Sequence, residues 1–283
     1  MTHSGLTRKR PTLVLWLAFF ALLALAPSAA AKRTATVWAV GDGADGGPAA
    51  LQVGQLVERG KPDKFLYLGD VYEHGTAFEF TNYYAAAFGK LASLTAPTPG
   101  NHEWPLRAEG YQPYWRGVMG RSIPDYYMFS IGGWELFSLN SEADHRKSSS
   151  QVRWLRSKVR KTGTCRLAFW HRPRYSGGGN GDEPDVAPLW NALRGHAAVV
   201  VVGHDHHMQR LKQKNGITEL ISGAGGHGFH PLWKDSRVAF SNNTTYGALR
   251  LTLSAGLARF AFVAVDGRTL DSGRLRCRRG KSR

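Results

Sequence analysis

Residues 198–206 read Ala198-Val199-Val200-Val201-Val202-Gly203-His204-Asp205-His206. Five apolar residues in a row, four of them β-branched, suit a strand buried on both faces, and the glycine ends it. Polar residues follow at once, with imidazoles at alternate positions. The same form recurs upstream in Val40-Gly41-Asp42, Leu68-Gly69-Asp70, Pro99-Gly100-Asn101-His102-Glu103 and Phe169-Trp170-His171. Ligands of open α/β sheets bind outside the carboxyl ends of the strands, so all five clusters are expected along one edge. Their donors are carboxylate, amide and imidazole, a set suited to first-row transition metals. Singly, each cluster reads more readily as a turn, a loop or a core histidine. The ordered set is the specific signal.

Working outward, Thr36–Val40, Phe65–Leu68, Arg166–Trp170 and Ala198–Val202 read as buried strands. Ala49–Arg59, Ala77–Leu91, Ser150–Lys161 and Val186–Arg194 carry helical spacing, with N-caps at Ser148 to Ser150 and a start at Pro184 or Asp185. Tyr126–Ile131 and Trp134–Leu139 flank Gly132-Gly133, a hairpin signal. Beyond Gly216 the pattern turns to strands: Thr218–Ser222, Ala248–Leu253 and Arg259–Val265. No repeat and no internal boundary interrupts this α/β chain, so one domain is expected over 32–283.

The ordered clusters resemble the calcineurin-like metallophosphoesterase superfamily, and within it the purple acid phosphatase branch. That branch reads D-x-G, G-D-x-x-Y, G-N-H-E, V-x-x-H and G-H-x-H. Here the matching stretches are Asp42-Gly43-Ala44, Gly69-Asp70-Val71-Tyr72, Gly100-Asn101-His102-Glu103, Phe169-Trp170-His171 and Gly203-His204-Asp205-His206. The resemblance spans about Val37 to Arg210. It implies a four-layer αββα sandwich of two mixed β-sheets flanked by helices. It also implies two metal ions, from Fe, Zn or Mn. Asp42, Asp70 and His206 would hold one ion, and Asn101, His171 and His204 the other, with Asp70 bridging. The implied activity is hydrolysis of phosphate monoesters by a metal-bound hydroxide.

Two positions depart from the pattern. Many relatives carry a histidine two residues after the first aspartate, where this chain has Ala44. The purple branch fills that gap with a tyrosine three residues after its second aspartate, but here Glu73 stands there and Tyr72 comes one early. Either the loop tightens so that Tyr72 reaches the ion, or water takes its place; the register favours water. A ferric–tyrosinate bond would colour the protein.

The residue types suit the chemistry. Phosphate esters are anionic and repel nucleophiles. Two divalent ions against two carboxylates and neutral Asn and His donors keep the site positive, and coordination lowers the pKa of water to roughly 7. His102, beside Asn101, is placed to meet the leaving-group oxygen. Glu103 would either orient it or cap a nearby group. Arg172 and Arg174 follow His171 and would either meet phosphate with their planar forks or form salt bridges. His227, in the glycine-rich run 222–228, is a candidate substrate contact. His145, His207 and His230 read as surface or supporting residues, and the nine tryptophans as core.

At the start, Arg8-Lys9-Arg10, the apolar run Leu13 to Ala26, Pro27 and Ser28-Ala29-Ala30-Ala31 have the order of a secretory signal peptide cleaved near Ala31. Export to the envelope, the periplasm or the medium is expected, with no later span for a membrane. Hydrophobic residues at 42% against 20% charged suit a globular core rather than disorder. Without residues 1–31, 34 Lys and Arg would face 21 Asp and Glu, a formal charge of +13 against +16 for the whole chain. That favours anionic partners, including a phosphorylated small-molecule substrate. The two cysteines, Cys165 and Cys277, are expected to form one disulfide in an exported chain. Two further readings remain open at this stage. One is a phosphodiesterase or nuclease on the same metal core. The other is a non-catalytic polyanion binder using the basic tail Arg274, Arg276, Arg278, Arg279, Lys281 and Arg283.

Overall fold

A computed structural model describes residues 1–3, 5, 34–160 and 163–277, and the fold lies within the unit Lys32–Arg283. The signal-peptide reading of 1–31 and the last four basic residues of the tail fall outside the described residues.

Alternation along the buried strands dictates the layers. In β1 (Thr34–Val40) Val37 and Ala39 point one way and Trp38 and Val40 the other, and all four are buried. In β6 (Cys165–Phe169) and β7 (Val199–Val202) Leu167, Phe169, Val199 and Val201 face β1's inner side, while Ala168, Val200 and Val202 face away. A strand apolar on both sides needs a cover on both sides. The inner faces of two sheets therefore meet in one core, and helices cover the outer faces. This is the four-layer sandwich expected from the sequence.

The first sheet has the order β13-β12-β11-β1-β2-β3. β2 is Lys64–Tyr67, β3 Thr95–Pro97, β11 Gly247–Ser254, β12 Leu257–Ala264 and β13 Thr269–Arg276. β1, β2 and β3 are parallel, whereas β11 to β13 add antiparallel. α1 (Pro48–Arg59) and α4 (Tyr111–Met119) pack on its outer side around Trp38, Val40, Phe65 and Tyr67.

The second sheet runs β10-β8-β9-β7-β6-β5-β4. Here β4 is Tyr127–Ile131, β5 Trp134–Ser138, β8 Met208–Leu211, β9 Thr218–Ser222 and β10 Val238–Asn242. β5, β6, β7 and β9 are parallel and the other pairs antiparallel. α5 (Ser150–Val159) and α6 (Ala187–Leu193) cover it. Ser149 caps α5 by accepting the Val152 N–H, which satisfies one of the helix's free donors.

The stretch expected as one helix over 77–91 is broken. It runs as α2 (Ala77–Glu79), a π turn Phe80–Tyr84, α3 (Ala85–Phe88) and a 3-10 turn Gly89–Leu94. Glu79 closes a capping box with Thr76 at its start, and Phe80, Tyr84 and Phe88 are all pulled into the core. Aromatic burial outranks helical regularity here. α4, β3, β8, β10 and β13 carry no strong sequence period and were not anticipated.

Cys165, at the start of β6, is bonded to Cys277, just beyond β13, with Cα atoms 5.5 Å apart. The staple joins the two sheets at the end where the parallel strands begin. No described helix is long and apolar enough to cross a membrane.

Candidate metal centre

At the other end, where β1, β2, β3, β6 and β7 finish, the five polar clusters converge. Three of the residues they contribute hold a left-handed backbone: Asp42 at φ 60°, Asp70 at φ 66° and His204 at φ 70°. Such conformations cost energy outside glycine and persist where the surroundings fix them. Here the fixing is done by hydrogen bonds between loops of both sheets. The His204 N–H donates to both Asp42 carboxylate oxygens at 3.1 and 2.9 Å, and the His102 N–H to Asp70 Oδ1 at 3.2 Å. The Asp42 N–H reaches the Gly69 carbonyl, and the Gly203 N–H the His171 carbonyl, each at 3.0 Å. Two glycines are needed for room. A Cβ on Gly203 would sit 2.6 Å from Asp42 Oδ2, and one on Gly100 would overlap Asp70 Oδ1.

The side-chain donors fall into two groups that share a member. Asp42, Asp70 and His206 form one; Asp70, His171 and His204 form the other, with ligand atoms within 4.8 Å of one another in each. Asn101 joins the second, its Oδ1 3.0 Å from His171 Nε2. Backbone carbonyls set the rings. Leu68 accepts from His171 Nδ1 at 2.8 Å and Gly228 from His206 Nδ1 at 2.6 Å, so in the neutral ring each Nε2 carries the lone pair and faces the centre.

Electrostatics test whether a cation fits. Asp42 and Asp70 are both fully buried, and their ion pairs among the described residues are with histidines, never Lys or Arg. Burial drives the Asp42 carboxyl well above its usual range. Burial acts the same way on Asp70, but the neighbouring His171 overrides it and holds that carboxyl low. Burial would lower His171 too, yet the Asp70 charge takes it up to about 10. His204 and His206 are pushed by burial to about 2 and about 3, which keeps them neutral as ligands must be. Two buried carboxylates beside neutral His204 and His206, an amide, and a His171 ring whose proton a cation can displace form a donor set with little positive charge of its own. A pair of metal ions fits it.

Tyr72 is a departure from the sequence expectation. Its hydroxyl lies 2.9 Å from His206 Nε2, 3.2 Å from Asp70 Oδ2 and 3.3 Å from Asp42 Oδ1, so it enters the centre despite its early register. The reason lies at the other departure. The Tyr72 N–H donates to the Ala44 carbonyl at 2.9 Å, and Val71 pairs with Ala44 as a short parallel bridge. Drawing the two loops together around the small, buried Ala44 delivers the phenol into the gap that a histidine fills elsewhere.

Around the centre lies a cavity of about 340 Å³ lined by Asp70, Tyr72, Asn101, His102, Asn180, His204, His206, His227 and His230. His102 Nδ1 donates to the Glu73 carbonyl at 2.7 Å, and its Nε2 lies 3.9 Å from Asp70 Oδ2. His227 stacks on Tyr72 with ring centres 3.9 Å apart, and Asp45 accepts from it at 3.3 Å. That hydrogen bond raises the His227 pKa.

Other candidates stand elsewhere. Glu103 does not touch His102; it accepts the N–H groups of Asp70 and Val71 at 3.1 to 3.3 Å and so fixes the bridging loop. Arg172 is held by Glu142 and Glu183, the latter 3.6 Å from His204 Nε2. Arg174 lies over the Tyr175 ring. Neither arginine lines the cavity. Asn180 and His230 do; Asn180 was not singled out from the sequence, and His230 was read there as a surface or supporting residue. His230 stacks on His206 at 3.7 Å, in a loop where a second histidine three residues after His227 was the available clue.

Fold and donor set together have the form of a calcineurin-like phosphoesterase domain. The family model of the calcineurin-like phosphoesterases matches residues 32–208, more than half of the chain, and the chain belongs to that family. Similar solved structures include a purple acid phosphatase from yellow lupin (Lupinus luteus) seeds, at TM-score 0.71 and 17% identity. The alignment covers 87% of this chain and 54% of that one, so the present chain spans about half of the plant enzyme. GAP50, the anchor in the inner membrane complex of Plasmodium, is similar at TM-score 0.66 and 15% identity, covering 87% and 90%. A dimetal phosphatase from Danio rerio is similar at TM-score 0.60 and 13% identity, covering 85% and 98%. A search of curated proteins finds no match.

Proposed function

We propose that this chain is an exported binuclear phosphoesterase that hydrolyses phosphate monoesters. The observation that carries the reading is the pair of donor groups sharing Asp70, gathered from loops of both sheets into one buried centre. Asp42, Asp70, His206 and the Tyr72 phenol would hold one ion; Asp70, Asn101, His171 and His204 would hold the other. Bound there, two cations supply the positive charge and the water activation that hydrolysis of an anionic ester requires.

The remaining roles belong to this chain's own side chains. His102 presents Nε2 to the cavity with its ring set by the Glu73 carbonyl, and carries the proton destined for the leaving-group oxygen. His227, held by Asp45, and His230 and Asn180 across the cavity offer donors to the outer phosphate oxygens. Three imidazoles around a small cavity favour the doubly charged head of a monoester over a diester. Export rests on the order of residues 1–31 and on the disulfide, a bond typical of oxidising compartments. One neighbour of this fold is described as an anchor, so fold alone does not speak for turnover; the donor groups do.

The test is metal content by elemental analysis, alongside turnover of a chromogenic monoester and a chromogenic diester. About two ions per chain and faster monoester cleavage are expected. Metal-free protein that stays inactive after reconstitution would overturn the hydrolase, and faster diester cleavage would overturn the monoester preference. Iron-loaded protein with a visible tyrosinate band that Tyr72→Phe removes would establish the phenol as a ligand without reference to activity.

A further inference from the structure

The outer face of the first sheet is half covered. Near the metal centre, Ala248, Ala261 and Val263 lie beneath the helical layer. Farther down, toward the disulfide, no described helix or loop covers β11, β12 and β13. Strand register arranges the open part in rows. One row reads Trp38–Arg250–Ala261–Ser272, the next Thr36–Thr252–Arg259–Arg274, and the last Thr34–Ser254–Leu257–Arg276. Arg250, Arg259, Arg274 and Arg276 are exposed, and none of the four is in an ion pair with a described residue. Arg250 lies over the buried Trp38 ring at 5.9 Å. A shallow hollow of about 330 Å³ lies among these residues, lined by Arg250, Thr252, Arg259, Thr269, Ser272 and Arg274 and by no carboxylate.

Ordinary structural causes account for part of this. Charged residues on an edge strand discourage edge-to-edge pairing, which explains Arg274 and Arg276 on β13. It does not explain Arg250 and Arg259, which stand on interior strands. Arg259 and Arg274 are direct cross-strand partners, and like charges so placed are destabilising. The acid of β13, Asp271, is turned to the other face, where it binds Arg210. Carboxylates on the open face would have relieved the repulsion, and the hollow has hydroxyls instead.

We propose that this open arginine face of β11–β13 is a docking surface for the phosphate backbone of nucleic acid, read by charge and not by base. A strand rise of about 3.4 Å per residue sets successive rows about 6.8 Å apart, so an extended chain of phosphates can meet a guanidinium at each row. Threonine and serine hydroxyls between the arginines add neutral donors to phosphate oxygens. A lipid surface is the less suitable occupant, because Phe260 and Ala261 in the hollow are buried and offer no apolar wedge. With no exposed aromatic platform among the lining residues, binding is expected to be independent of sequence.

The experiment is anisotropy of a labelled single-stranded oligonucleotide titrated with the full chain at several salt concentrations. The triple variant Arg250→Ala, Arg259→Ala, Arg274→Ala should bind at least tenfold more weakly, with a log–log salt slope shallower by about 2. The matching Arg→Lys triple variant should keep most of the affinity, which separates lost charge from lost folding. Turnover of the chromogenic monoester should be unchanged in both, since these arginines lie outside the metal centre, so the two proposals fail separately. Wild-type affinity in the alanine variant would overturn the docking surface. So would equal loss in a chain ending at Cys277, or a preference for anionic phospholipid vesicles over the oligonucleotide.

Discussion

The two ends of the strand sandwich are built on opposite principles. Where the parallel strands begin, Cys165 and Cys277 tie one sheet to the other covalently. Where they finish, Asp42, Asp70 and His204 hold left-handed backbones, two carboxylates are buried, and polar contacts between loops keep them in place. One end secures the chain covalently, and the other spends conformational energy on gathering the donor groups proposed to hold metal. Strain and buried charge gathered around a cavity mark a working site; covalent closure marks a scaffold.

That contrast can be broken by substitution. Asp70→Ala removes the donor common to both groups, and turnover should fall to background with less than one ion retained, read by elemental analysis with kinetics. His102→Ala should lower kcat by about 10²–10⁴-fold while metal content stays intact. The loss should shrink for esters with better leaving groups, which need less proton assistance; a uniform loss would remove His102 from that role. Cys277→Ser opens a loop whose ends are 112 residues apart, and denaturant titration should show about 4–5 kcal/mol less stability in the chain-entropy picture. The folded fraction should turn over normally. Equal damage to turnover would show that the two ends are not independent.

Smaller effects sharpen the comparison. Asp45→Asn frees His227, and KM should rise roughly tenfold with kcat little changed, as for loss of one charge-assisted hydrogen bond. Away from the centre, Glu219 is buried beneath the N–H groups of Arg174 and Tyr175, and burial pushes its pKa up to about 8. The folded chain then binds a proton more tightly than the unfolded one, so this group's contribution to stability falls as pH rises from about 4.5 to 8. Glu219→Gln should flatten the melting temperature across that window.

The convergence of the donor residues was legible because each cluster follows a buried strand, and strand ends of parallel sheets share an edge. Asp42, Asp70, Asn101, His171, His204 and His206 therefore converge as their positions in the chain imply. Tyr72 was legible only as one of two alternatives, because its reach depends on a backbone bridge to Ala44 that no local spacing encodes. Of the two readings left open for Glu103, the capping one holds, but which groups it caps was not legible: they are the N–H groups of a loop some thirty residues upstream. Asn180 and His230 come from long irregular loops, where sequence sets no period. The helix over 77–91 misread a run whose aromatic side chains, Phe80, Tyr84 and Phe88, are ordered by tertiary burial.

The family match stops at residue 208, but the fold does not. β1 lies between β2 on one side and β11 on the other, so the strand that delivers Asp42 is paired on both flanks only after residues beyond 247 have been made. A fragment cut at the end of the match would leave β1 as a bare edge and strip Leu249, Leu251, Leu253, Phe260 and Phe262 from the inner core. The recognisable half is thus not a unit of folding. During synthesis the earliest strand waits for some of the latest, and any expression of this protein in pieces has to respect that order.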